Sequence, residues 1–170
     1  MAEASDGDAD AELTASYRAA MARLPGGVAV LAGRSGGRDI VAVVTSLVSV
    51  SLEPPTVLVV IHAAGRLGEI LGVGSRWAAT IMGAGSRHHV AWIAEPGRPD
   101  VGQLQGIEHE HGATSGAAVL RAGGSWIEAV TTDIVEAGDH LVVIGLVTAA
   151  GQGSAQGALV HRLGRVRDLS

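Results

Sequence analysis

Short runs rich in Val, Ile and Leu follow one another directly along this chain, separated by glycine, proline or polar turns rather than by long helical segments. VAVLAG (28–33), a turn at Ser35-Gly36-Gly37-Arg38-Asp39, and IVAVVTSLVSVSL (40–52) read as a hairpin. Pro54 and Pro55 interrupt the ladder, since neither can donate a strand hydrogen bond. TVLVVIH (56–62) is continuously apolar, as a strand covered on both faces would be. WAATIMG (77–83) returns to strand, AVLRAGGSWIEAVTTDIVEAG (118–138) suggests a hairpin about Gly123-Gly124, HLVVIGLVTAAG (140–151) a further strand, and ALVHRLGRVRDL (158–169) a final edge strand. Consecutive strands argue against a doubly wound parallel sheet and for a mainly β, antiparallel barrel or sandwich with short flanking helices.

Helical patterns are few. Leu13, Tyr17, Met21 and Leu24 recur at helical spacing, which predicts a helix over 13–24, ended by Pro25-Gly26-Gly27. Shorter helices are expected over 66–74 and 86–95. The stretch from Arg98 to Gly116 has no period and reads as a surface excursion.

The core must be aliphatic, because the chain has no Phe, one Tyr and three Trp. It also has no Lys, Asn or Cys, which excludes Schiff-base catalysis, a P-loop lysine, a thiolate nucleophile, disulfides and Cys-ligated metals. Net charge is −5, but five acids precede the first Arg, and residues 13–170 balance twelve acids against twelve arginines. Without a basic stripe, nucleic-acid binding has little electrostatic support. Residues 1–12 are expected to be a disordered acidic tail ahead of a domain spanning 13–170. They lack the basic and apolar order of a secretory signal, and no apolar run approaches the ~20 residues of a spanning helix, so no membrane partner and a cytoplasmic setting are expected.

Three motifs carry candidate chemistry. In an extended VVTSLVSVSLEPP (43–55), Thr45, Ser49 and Ser51 share a face with Leu47, while Val44, Val48 and Val50 point the other way. On the residues alone, this row of hydroxyls suits a strand meeting water better than it suits a binding surface. His109-Glu110-His111 has metal-like spacing, but its surroundings are glycine-rich and no second ligand pair stands out, so it is read as a solvated loop and no metal is assigned. GQGSAQG (151–157) is not followed by a helix or by the acidic residue that a dinucleotide fingerprint requires.

Several blocks nevertheless occur together in a telling order: YRAAMARLPGGVAVL, then VTSLVSVSLEPP, then TVLVVIH, then GDHLVVIG (138–145). In this combination, spanning about 16–165, the chain resembles the flavin reductase-like family, whose fold is the antiparallel Greek-key FMN-binding split barrel and whose members are the small partners of two-component flavin monooxygenases. The resemblance implies an NAD(P)H:flavin oxidoreductase, with FMN or FAD and NADH or NADPH as its redox pair, a partner monooxygenase, and a homodimer. No side chain needs to form a covalent bond, so no catalytic residue is assigned.

By the same resemblance, Val44, Thr45, Ser46, Ser49, Val50 and Ser51 stand where main-chain N–H groups and hydroxyls contact the flavin. His62 and Gly65 stand where the family often has Asn and Ser near the phosphate, and Arg66 offers a charge-assisted replacement, with Arg87 a second choice. Thr80 takes an Asn position, and His140 the nicotinamide side, with Asp139 orienting its ring or the turn. Two alternatives stay open: a split-barrel flavoprotein turned to small-molecule tailoring, and a metal-binding β-barrel built on His109 and His111.

Overall fold

A computed structural model of the chain describes residues 6–98 and 101–169. Helix α1 spans Asp6–Met21 and starts before the expected Leu13. Ala9, Ala11 and Ala15 are strong helix formers, which lets the helix extend ahead of the apolar stripe. Residues 6–12 of the expected tail therefore lie in α1, and residues 1–5 fall outside the described residues. Leu13, Tyr17 and Met21, with Leu24 beyond the helix, form an apolar stripe that remains exposed.

After the two-residue β1 (Gly26–Gly27), β2 (Ala29–Ser35) and β3 (Arg38–Val44) form the expected hairpin. Its turn places Gly36 and Gly37 at φ of 56° and 77°, the double positive φ of a tight two-residue hairpin turn. The run 40–52 is not one strand. It breaks at 45–47, and β4 (Val48–Leu52) pairs with β5 (Pro55–His62) at the far side of the sheet. Helix α2 (Arg66–Ile70), β6 (Arg76–Met82) and α3 (Arg87–Ile93) follow, all close to expectation.

Beyond α3 the reading from sequence needs correction. The excursion is not wholly superficial: Leu104 and Ile107 are buried, and β7 (His109–His111) pairs with β8 (Ala118–Leu120). The expected hairpin about Gly123-Gly124 is absent, because β8 turns back onto β7. β9 (Gly123–Ala137) instead lies between β6 and β10 (His140–Gln152). The last segment is itself a hairpin, β11 (Ala158–Arg162) with β12 (Arg165–Leu169), and β1 joins it as a third strand.

The main sheet is antiparallel, in the order β3-β2-β6-β9-β10-β5-β4. It curls until β3 lies alongside β5, leaving a seam rather than a closed ladder. Alternation along β2 and β6 divides the core. Val30, Ala32, Ala78 and Met82 pack outward against α3 and the excursion, with Val90, Ile93, Leu104 and Ile107. Leu31, Trp77 and Ala79 fill the barrel with Val57, Val59, Ile61 and Val143. On β5 only these alternate positions are buried, so the expected two-sided cover is one-sided; Val60 on the other face borders the seam.

Trp77 does the work that Phe does in other cores. It is fully buried, and its indole N–H donates to Thr131 Oγ1 at 3.1 Å. Gly145 on β10 makes room for it, since a Cβ there would stand 2.6 Å from Trp77 Cζ2.

Candidate functional site

The seam between β3 and β5 opens into a cavity of about 600 Å³, within the usual range for small-molecule sites. Its floor is the edge of β3, from Ile40 to Val44, continuing through Thr45 and Ser46. An edge strand presents alternate backbone groups to whatever lies beside it. At Val41 these groups are taken: its N–H donates to Gln103 Oε1 at 2.9 Å, and its C=O accepts from Arg98 at 3.2 Å. Two residues on, the same alternation turns the N–H and C=O of Val43 into the cavity.

Ser46 closes the seam at one end. Its hydroxyl donates to Val60 C=O at 3.0 Å and accepts from Val60 N–H at 3.1 Å, so one side chain replaces a ladder rung between segments that no strand pairing joins. Opposite, β5 and β10 bring His62 and His140 into register as direct cross-strand partners. Their rings meet edge-on with centroids 5.2 Å apart.

Asp139, in the β9–β10 turn, organises this pair. His140 Nδ1 lies 2.6 Å from Asp139 Oδ1, and His62 Nε2 lies 3.7 Å from Oδ2. Ala64 N–H donates to His62 Nδ1 at 3.2 Å, which leaves Nε2 to carry the proton toward Asp139. A proton on His140 Nδ1 likewise leaves its Nε2 for a ligand. The hydrogen bond from His140, followed by the attraction of that imidazole, holds the Asp139 carboxyl below its ordinary value. Arg66, bonded to Glu69 at 3.2 Å, stands with Gly65 at the cavity wall beside the N-terminus of α2.

Val44, Thr45, Ser46, His62, Arg66 and His140 thus line one cavity. The other residues singled out from the sequence do not join them. Ser49 and Ser51, on either side of a bulge in β4, face a separate groove with Leu47, and Val50 is half exposed on that outer strand. Thr80 is fully buried on a central strand, where its hydroxyl accepts from Leu120 N–H at 3.0 Å, which spends it on the core. Arg87 pairs with Asp168 of β12 at 3.0 Å. Sequence reasoning missed Gln103 and Arg98, whose contacts with Val41 span more than fifty positions and leave no local signal.

A model of the flavin reductase like domain matches residues 21–170. The chain belongs to the flavin reductase-like family. An NADH-dependent FMN reductase of Streptomyces nodosus subsp. asukaensis is 34% identical over 157 residues, covering 90% of this chain and 83% of that protein. The reductase component of the 4-hydroxyphenylacetate 3-monooxygenase of Thermus thermophilus is 31% identical, covering 86% and 90%. Among solved structures, the flavin reductase component of a bacterial two-component tryptophan halogenase superposes with a TM-score of 0.83 at 26% identity, covering 92% of this chain and 98% of that one.

Family membership makes this chain an oxidoreductase of the flavin reductase type, with the antiparallel split barrel as its fold. The seam fits a flavin on its own terms. The cavity is large enough, the β3 edge and the Thr45 hydroxyl offer donors and acceptors without covering a ring face, and the Arg66 guanidinium, paired with Glu69, stands at the wall where it could hold a phosphate. No described helix is long and apolar enough to cross a membrane.

Proposed function

We propose that this reductase binds its flavin in the β3–β5 seam and takes electrons from NADH on the His62–Asp139–His140 side, delivering reduced flavin to a separate monooxygenase. When bound, the flavin supplies a hydride acceptor at N5 and the dihydronicotinamide a donor at C4. Positioning is the contribution of the protein. Val43 and Thr45 offer backbone and hydroxyl contacts to the ring edge, Ser46 keeps the seam at its width, and Arg66 binds phosphate. Asp139 fixes the His140 ring so that Nε2 meets the nicotinamide nucleotide at the mouth.

The observation that carries this reading is the cavity itself, which gathers six of the candidate residues beside an organised imidazole pair. Loss of NADH absorbance with FMN, FAD or riboflavin tests it. His140→Ala is expected to raise KM for NADH about tenfold, the worth of one good hydrogen bond, while flavin affinity stays within about twofold. Equal loss of flavin binding would place His140 on the flavin instead.

The apolar edge strand β4 and the α1 stripe are the surfaces proposed to join two copies into a homodimer. A flavin reductase-like domain over 13–170, extended by the start of α1 back to Asp6, and a cytoplasmic setting, where nicotinamide nucleotide is regenerated, complete the proposal.

A further inference from the structure

His109 and His111 are not in a solvated loop. They sit on β7, where residues two apart share a face, and that face meets Asp39 at the start of β3. His111 Nε2 lies 3.2 Å from both Asp39 oxygens, and His109 Nε2 lies 4.0 Å from Oδ2. The two rings stand nearly perpendicular, with centroids 5.6 Å apart. One ligand atom from each residue falls within 4.8 Å of the other two. Ligands held at ~2.0–2.1 Å in a tetrahedral shell stand about 3.3 Å apart, so the widest separation has to close by up to about 1.5 Å, a movement that rotation of the three side chains can share.

A second observation concerns the supporting contacts. His109 Nδ1 is 2.8 Å from the carbonyl of buried Ile107. A proton on Nδ1 then donates to that carbonyl and leaves the Nε2 lone pair aimed at Asp39. Metal-binding histidines are held by this arrangement, with one ring nitrogen on a carbonyl and the other on the ion. The Asp39 side chain is only 19% exposed, and a cavity of about 360 Å³ bordered by Arg38, Gln105 and Gly102 adjoins it, giving room for a water as fourth ligand. The neighbouring Glu110 turns away to Arg121 at 3.1 Å and does not compete.

We infer that Asp39, His109 and His111 form a binding site for a divalent transition ion of the Zn²⁺ type, independent of the flavin cavity. Imidazole and carboxylate donors without thiolate suit Zn²⁺ and Co²⁺. The ion joins β7 to β3, and so clamps the excursion that carries Gln103 onto the strand forming the floor of the cavity.

The test uses the full chain, stripped with chelator and then titrated with Zn²⁺ by calorimetry and with Co²⁺ by visible absorption. One ion per chain is expected, with four-coordinate Co²⁺ bands. Zn²⁺ at a hundredfold excess over Kd should raise Tm by about 5–10 °C. H109A/H111A and D39N should each weaken binding at least tenfold, whereas H88A/H89A, which removes the other adjacent imidazoles, should leave it unchanged. Nitrogen-resolved NMR of the wild-type histidines needs no variant: Zn²⁺ should move the Nε2 signals of His109 and His111. Binding no tighter than in H109A/H111A, loss of binding in H88A/H89A instead, or unmoved His109 and His111 signals would each overturn the assignment.

Discussion

Ser46 makes both of its hydrogen bonds to Val60 where the barrel has no ladder, so its hydroxyl is a joint between two edges. Ser46→Ala leaves the Val60 N–H and C=O without that partner at a half-buried position. A loss of about 1–2 kcal/mol is expected in urea unfolding with the m-value unchanged, together with weaker flavin binding as the seam widens. Glu128 is a second joint. Its carboxylate accepts from the backbone N–H groups of Thr114 and Ser115 and from the Thr114 hydroxyl, fastening the β7–β8 connection to β9. Gly112 has to lie against it, since a Cβ there would stand 2.4 Å from the carboxyl carbon. Burial raises the Glu128 pKa, but the hydrogen bonds from Ser115 and Thr114 outweigh it and hold the carboxyl below its ordinary value. A folded value below the unfolded one means stability that is present above the unfolded pKa of ~4.3 and lost as pH falls through the folded value. Glu128→Gln should therefore cost about 1–3 kcal/mol at neutral pH, and the gap to wild type should narrow below about pH 4.3 in denaturation followed across pH.

At the scale of elements, local period and turn chemistry explain what the sequence made legible. The β2–β3 hairpin was readable because Gly36-Gly37 interrupts two alternating runs, and α3 because Val90 and Ile93 share a face before Pro96. The break at 45–47 was not, because alternation continues through a point where the chain leaves one edge of the sheet for the other. The excursion was misread for a related reason: Gln103, Leu104 and Ile107 are held by long-range contacts, and a segment without period gives no sign of them. Asp39 escaped notice as a turn residue until folding brought β7 to it. Of the candidate site, the block before the double proline supplies Val44, Thr45 and Ser46 to the seam cavity, whereas the side chains of Thr80 and Arg87 serve the core and β12. The excursion makes its own prediction. Gln103→Ala removes the acceptor for a buried edge N–H, so it should cost about 1–2 kcal/mol and raise the flavin Kd several-fold in a fluorescence titration, by loosening one wall of the seam.

At the scale of the whole molecule, the described residues leave apolar surface uncovered on β4 and on α1. Val48, Val50 and Leu52 of β4 are 50%, 52% and 81% exposed, on an edge strand whose outer backbone groups face solvent; the α1 stripe adds Leu13, Tyr17 and Met21. Monomeric β-proteins blunt such edges with charge, proline or a covering segment, and β4 carries no charged residue. The groove beside it, lined by Leu47, Pro55, Ile127 and Val147, extends the apolar area behind the strand. In the homodimer proposed above, a two-fold axis would make a surface of this kind its own complement. Light scattering after size exclusion should give twice the 17.1 kDa chain mass. Val50→Lys with Leu52→Lys should bring it down to one chain mass while circular dichroism keeps its β signature, because a lysine edge repels another strand without entering the core. If wild type runs at one chain mass throughout the micromolar range, the exposed edge has another purpose and the homodimer proposal fails. If the lysine variant keeps the doubled mass, the α1 stripe holds the pair, and Tyr17→Asp should then separate it.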